Sequence, residues 1–263
     1  MNIVLLGYGA IARIIHKTLS GKAEFKFVGV YDPYLREEDA VYLQGLQCVR
    51  LASLQDILAA GPEVVVEAAN QTAAKETVPF LLAAGIDVLS LSVGAYLDDL
   101  FRQKIADISR EPKSGRLYFP SGALPGVDVL KAACIKPVDS VELITRKPPG
   151  ALAGAPGFDA SLPGCNVVFS GSAREAVRLF PANVNIAATL SLAGIGPDKT
   201  HVTIIADPEV QMNVHQVIIR GEFGEFEATI RCKPSENPKT SMIAALSAIA
   251  ALENLVSQCR IGT

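Results

Sequence analysis

A chain of 263 residues suffices for one large domain or two small ones, with a core that needs no disulfide or metal to hold it. Hydrophobic residues at 49% and charged residues at 19% exclude a disordered chain. With 24 basic against 27 acidic residues the net charge is −3, the wrong sign for a polyanion binder, so no nucleic-acid partner is expected. No apolar run approaches the roughly 20 residues that span a bilayer, so no membrane partner is expected either.

Residues 1–6 are apolar, but they lack a basic flank and stop at Gly7. They read as a first strand rather than a signal peptide, and the chain is expected in the cytoplasm. Further strands are expected over 26–31, 47–50, 63–67, 87–91 and 116–119, with helices over 10–19, 54–59, 73–83 and 97–109. Such alternation builds β-α-β units, because parallel strands need a crossover. After Pro120 the rhythm changes. A loop over 121–126 leads to a helix over 127–134 and a strand over 140–145, then a Gly/Pro/Ala-rich loop over 148–164. Helices follow over 172–179 and 184–192, then three strands over 202–206, 215–219 and 225–231, joined by turn signals at Asp207-Pro208 and 221–224. Consecutive strands suggest a mixed or antiparallel sheet. The last helix, 241–256, carries an apolar stripe. The five cysteines, Cys48, Cys134, Cys165, Cys232 and Cys259, form no C-x-x-C pair and read as isolated reduced thiols.

The strongest local signal is Gly7-Tyr8-Gly9-Ala10-Ile11-Ala12, a G-x-G-x-x-A between a strand and a helix. Gly7 permits the tight turn, Gly9 lets the backbone approach a pyrophosphate, and Ala12 lets helix and strand pack closely. The helix start then offers free N–H groups and a positive dipole end to the phosphates. The expected fold class is therefore α/β: an N-terminal Rossmann domain with a doubly wound parallel sheet, and a second α+β domain for substrate and dimerisation. The first domain is expected over 1–119, completed by the C-terminal helix within 240–263; the second spans 120–239. Asp32, twenty residues after Ala12, can accept from both ribose hydroxyls and would repel a 2′-phosphate, favouring NAD. Arg36 nearby leaves NADP open, and Asp32 could instead be a surface turn residue before Pro33. At the ends of later strands, the segments Glu67-Ala68-Ala69-Asn70-Gln71 and Ser90-Leu91-Ser92-Val93-Gly94-Ala95 are placed for cofactor contact, with Ala69, Asn70, Ser92 and Gly94 as the candidates, or are plain strand–helix turns.

Of three histidines, His16 reads as a partly exposed helix residue and His201 has no polar neighbours suggesting chemistry. His215, after Asp207-Pro208 and Asn213, is the candidate acid–base group. Asp198 and Asp207 have no partners spaced for a metal site, so no metal is expected.

Taken together, the chain resembles the L-aspartate dehydrogenase family over essentially its full length. The resemblance rests on Gly7–Ala12, 91–95, Pro120-Ser121-Gly122-Ala123, Thr145-Arg146-Lys147-Pro148-Pro149, Phe180-Pro181-Ala182-Asn183-Val184-Asn185, Ala206-Asp207-Pro208 with Asn213-Val214-His215, and Asn237-Pro238-Lys239-Thr240-Ser241. It implies a reaction: L-aspartate, water and NAD(P)⁺ give oxaloacetate, ammonia and NAD(P)H through iminoaspartate. It also implies that His215 is catalytic and that Ala123 and Asn185 contact the cofactor. Whether the product feeds NAD biosynthesis is left open. Beside the resemblance stands a chemical requirement: the amine must be neutral before an imine forms, and a water must then attack the imine. One imidazole could serve both steps. A dicarboxylate also needs cationic or N–H-rich partners. Lys147, Asn213, Lys239, Thr240 and Ser241 are the candidates, against the plainer readings of a surface lysine and simple helix capping. Of the pair in the Phe180–Asn185 segment, one asparagine caps the helix and the other faces the cofactor. The alternatives are a homoserine dehydrogenase-like or related dicarboxylate enzyme and a non-catalytic NAD(H) sensor. An exposed sheet face in the second domain makes a homodimer the expected assembly.

Overall fold

The computed structural model describes residues 1–180, 185–233 and 241–261. They divide into two compact units, Met1–Pro120 together with Ala245–Cys259, and Ser121–Ala244.

The first unit runs β1 (Asn2–Leu6), α1 (Ala10–Leu19), β2 (Lys26–Tyr31), α2 (Glu37–Gly45), β3 (Val49–Leu51), α3 (Leu54–Ala59), β4 (Val64–Glu67), α4 (Gln71–Ala83), β5 (Asp87–Ser90), a 3-10 turn (Val93–Leu97), α5 (Asp99–Ser109) and β6 (Leu117–Tyr118). The strands form one parallel sheet in the order β3-β2-β1-β4-β5-β6. This is the Rossmann-like, doubly wound α/β arrangement. The order reverses between β1 and β4, where Leu6 and Glu67 lie side by side at the strand ends. In such sheets ligands bind at that reversal, outside the carboxyl ends. Central strands are buried along their length, as Ile3, Val4, Leu5, Val65 and Val66 show. On α1, Ala12, Ile15 and Leu19 make the inward stripe.

Three expectations are corrected in this unit. Helix α2 lies where no element was expected, because only Leu43 on it is buried and no apolar stripe marks it. Its start is marked instead by Glu37, Glu38 and Asp39, which suit the positive end of a helix. The helix expected over 97–109 is split, with Asp98 capping α5 after the 3-10 turn. His16 is not partly exposed but buried: its Nδ1 meets the Tyr8 hydroxyl at 2.9 Å, and burial lowers its pKa.

The second unit runs α6 (Val127–Ala133), β7 (Val138–Lys147), a 3-10 turn (Pro149–Leu152), β8 (Asn166–Ser172), α7 (Ala173–Leu179), α8 (Asn185–Ala193), β9 (Thr200–Ala206), β10 (Asn213–Gly221) and β11 (Gly224–Cys232). Then α9 (Met242–Val256) begins; from Ala245 it belongs to the first unit, whose core takes in Ala248, Ile249 and Leu252. The sheet order is β11-β10-β7-β9-β8, mixed rather than antiparallel, since β7 and β9 run parallel. Strand β8 was not expected. It is an edge strand ending Ser170-Gly171-Ser172, with a register shift between Val167 and Phe169, so it lacks a clean alternation.

Alternation on β7 is clean. Val141, Leu143, Thr145 and Lys147 are buried, while the residues between them are only half-buried. His215 on β10 lies opposite Thr145, with Val217 opposite Leu143 and Ile219 opposite Val141, so all share one face. That face is apolar except at one end, where Thr145, Lys147 and His215 come together and Asn213 follows on the same face of β10.

Candidate active site

The cofactor side is built in the first unit. Gly7 has φ +86°, and a Cβ there would come within 2.9 Å of Ala69, so the fold itself demands glycine. At Gly9 a Cβ would meet no atom within 4 Å. Packing within the chain therefore does not explain that glycine; what a side chain would obstruct is the open space over the start of α1. Gly9 occupies the N-cap position and no side chain caps the helix. Its first-turn N–H groups suit an anion, so the residues present fit a dinucleotide pyrophosphate. Ala10 and Ile11 supply the first of those groups, and Ala12 is buried against the core.

Asp32 sits at the end of β2. Its Oδ2 accepts from Tyr8 N–H and its Oδ1 from Tyr34 N–H, each at 2.8 Å. Each carboxylate oxygen keeps acceptor capacity for a ribose hydroxyl. Arg36, the sequence's opening toward NADP, pairs with Glu38 and with Asp39 at 2.7 Å. Asp39 also holds Arg13 at 3.2 Å. Beyond β4, Ala69 is exposed in the turn and Asn70 spends its side chain capping α4 through Ala73 N–H. Beyond β5, Ser92 and Gly94 are buried, and the Ser92 hydroxyl donates to Glu67. The structure thus gathers Gly7, Gly9, Ala10, Ile11, Ala12, Asp32, Ala69, Asn70, Ser92 and Gly94 at the carboxyl ends of one sheet. Ala123 and Asn185 lie in the second unit: Ala123 buried in the loop before α6, Asn185 exposed at the start of α8.

The substrate side is built at the polar end of the second sheet. His215 is 2% exposed, and its Nδ1 lies 3.0 Å from the Thr145 hydroxyl. Its Nε2 is buried and has no hydrogen-bond partner among the described residues. Leaving such an atom unmade costs on the order of 1–3 kcal/mol, a cost that a ligand can remove. Burial, and then the nearby Lys147 ammonium, push the imidazole pKa down to about 3. It is therefore neutral across the physiological range. Lys147 is 3% exposed, and burial lowers its pKa to about 8. It is no surface lysine, which corrects the plainer reading. Thr145 and Lys147 open into a small apolar cleft with Leu143, Leu152, Phe180 and Ala187. Asn213 begins β10 opposite Cys232, and the buried Ser241 hydroxyl lies against the Cys232 thiol. Lys239 and Thr240 lie outside the described residues, as does Asn183. Among the described residues no group of three or more His, Cys, Asp or Glu could hold a metal.

Sequence reasoning placed Thr145 and Glu67 within matching or cofactor-facing segments but gave neither a role of its own. Thr145 stands two residues before Lys147, so strand alternation was the available signal. Glu67 is the one acidic residue in the apolar run Val64–Glu67.

Comparison with known proteins gives consistent results. Residues 7–120 match the family description "Homoserine dehydrogenase, NAD binding domain", and residues 128–255 match "Aspartate dehydrogenase, C-terminal". The chain is 47% identical over 210 residues to an L-aspartate dehydrogenase of Methanosarcina acetivorans, covering 77% of each. It is 39% identical to that of Pseudomonas aeruginosa, over 97% of both. Among solved structures, aspartate dehydrogenase from Thermotoga maritima superposes with a TM-score of 0.80 at 31% identity, covering 100% of this chain and 99% of that one.

Proposed function

Because this chain belongs to the L-aspartate dehydrogenase family, it is an oxidoreductase that converts L-aspartate to oxaloacetate and ammonia with NAD(P), and we propose that His215, Thr145 and Lys147 carry the substrate chemistry. The observation behind this reading is the buried Nε2 of His215, without a partner among the described residues, beside a buried ammonium at one polar end of an apolar sheet face.

A bound nicotinamide would supply the hydride acceptor for the aspartate Cα. The chain's own residues prepare that carbon. Lys147 holds a substrate carboxylate in a charge-assisted bond, with Asn213, Ser241, Lys239 and Thr240 proposed to complete the diacid's partners. The carboxylate offsets the Lys147 charge that helps depress His215. Imidazole basicity therefore rises when substrate binds, by the share that Lys147 contributes beside the larger effect of burial. Nε2 takes a proton from the substrate ammonium, leaving the neutral amine that an imine requires. With Nε2 bare to act as base, the neutral ring carries its hydrogen on Nδ1, so the Thr145 hydroxyl accepts from Nδ1–H both before and after Nε2 takes its proton. After iminoaspartate has formed and the first proton has passed to solvent, the bare Nε2 accepts a proton from the water that attacks the imine carbon and returns it to the nitrogen that leaves as ammonia. Apolar walls such as Leu143, Leu152 and Phe180 limit bulk water around these groups.

On the cofactor side, Gly7, Gly9, Ala10, Ile11 and Ala12 are proposed to hold the pyrophosphate and Asp32 the adenosine ribose. Ala69, Asn70, Ser92, Gly94, Ala123 and Asn185 are proposed for the remaining contacts. Mixing the protein with NAD⁺ and L-aspartate at alkaline pH should raise absorbance in the NADH band. A signal with homoserine but not aspartate would move the substrate assignment to the homoserine class.

The assembly we propose is a homodimer. The second sheet's other face carries Ile144 and Val214 beside Arg146 and Arg231, around an open hollow. A two-fold axis lets such a patch cover itself. Light scattering at micromolar concentration should give twice the chain mass; a chain-mass reading would dismiss the dimer. No helix among the described residues is long and apolar enough to cross a membrane. Five free thiols, three of them exposed, support a cytoplasmic setting.

A further inference from the structure

Glu67 ends β4 at the reversal of the first sheet and is wholly buried. Its neighbours across the ladder are Leu6 of β1 and Ser90 of β5. A carboxylate in such a place costs free energy unless every lone pair is used. Here four donors converge on it. Oε1 accepts from Ala69 N–H at 3.0 Å and from the Ser92 hydroxyl at 2.7 Å. Oε2 accepts from Ser92 N–H at 3.0 Å and from the Ser90 hydroxyl at 2.7 Å. Two of these donors are backbone groups in different turns, one after β4 and one after β5. A single side chain therefore ties the two turns together. Ala69 is also the residue against which Gly7 closes, so the tie reaches the glycine loop.

We propose that Glu67 is a positioning residue for the cofactor: it sets the spacing of the turns after β4 and β5, and through that spacing the enzyme's affinity for the dinucleotide. A plain structural need in this position would be met by an apolar residue, as in the rest of β4, without the desolvation cost of a carboxylate. A charged acceptor fixes what an apolar residue does not, the direction of two backbone N–H groups. Burial pushes the carboxyl pKa up, and the four hydrogen bonds draw it back toward the ionised form. The assignment of Ser92 changes as well. Its hydroxyl and its N–H are both spent on Glu67, so the cofactor contact proposed for Ser92 falls to its backbone carbonyl.

The inference rests on the reading that these two turns touch the cofactor, and the experiment separates the two. In the wild-type protein, amide exchange over 68–71 and 91–95 should slow when NAD⁺ binds; no slowing overturns the reading itself. In Glu67→Gln the amide nitrogen must face a backbone N–H on one side or the other, so one turn loses its bond whichever way the side chain flips. Without cofactor, exchange at residue 69 or 92 should quicken. The Kd for NAD⁺ by calorimetry should rise about tenfold, while the KM for aspartate at saturating NAD⁺ stays unchanged. Slowing in the wild type, with an unchanged Kd in E67Q despite a lower Tm, overturns the inference alone. If E67Q does not fold, Ser90→Ala removes one donor from beneath the turn. Its NAD⁺ Kd should then rise by about threefold, and an unaltered Kd overturns the inference equally.

Discussion

Replacing His215 with alanine is expected to lower kcat by about a hundred- to ten-thousand-fold while leaving the Kd for NADH nearly unchanged. The magnitude follows from what the side chain is asked to do. The imidazole is neutral and buried, and its Nε2 has no partner among the described residues, so it can receive the ammonium proton. Without it the amine must lose its proton to solvent, and the apolar cleft gives solvent little access. Thr145→Val provides the graded companion. It removes one hydrogen bond at Nδ1, worth about 1 kcal/mol, so kcat should fall by roughly fivefold, and Thr145→Ser should restore it. Steady-state kinetics and a fluorescence titration with NADH check both. Undiminished turnover in H215A would remove His215 from the mechanism.

The second large effect is expected at Lys147. Lys147→Met keeps the apolar stem and deletes the ammonium, and kcat/KM for aspartate should fall by about ten- to a hundredfold through loss of a charge-assisted bond. The pH dependence carries the sign. The lysine pKa is lowered to about 8 by burial, so the cation that holds a carboxylate is present below that pH and is lost above it. KM for aspartate should therefore climb as pH rises through about 8 in the wild type and stay flat in K147M. A KM that ignores both the substitution and the pH would show that the carboxylate is held elsewhere.

What could be read from the sequence depended on whether the signal was local. The residues from Gly7 to Ala12 carry their own chemistry, and β1, α1 and β2 begin and end where that chemistry places them. Lys147 and His215 could be named as residue types, but their meeting depends on a strand register between positions about 70 apart in sequence. Thr145 shows the limit. A threonine in a strand is an ordinary β-former, and only its cross-strand neighbour turns it into a partner for an imidazole. Helix α2 was hidden because one buried leucine makes no stripe. Strand β8 was hidden because an edge strand with serine and glycine carries no period. Lys147 looked like a surface charge because composition says nothing about which strand face turns inward; the alternation with Val141 and Leu143 did. Both turns around Glu67 could be placed near a cofactor from the sequence, but not the tie between them, because its four donors meet only once β4 and β5 lie side by side.

The return of α9 into the first unit bears on how the protein is made. Ala248, Ile249 and Leu252 fill a core whose other walls are Ile3, Leu5 and Ile15, residues that leave the ribosome well over two hundred positions earlier. Until the whole intervening segment has been translated, the nascent nucleotide-binding half has an uncovered oily groove. It must wait in an incomplete, chaperone-attracting form. Removing the last two turns of α9 should therefore cripple the amino-terminal half of the enzyme, the part farthest from the cut along the chain.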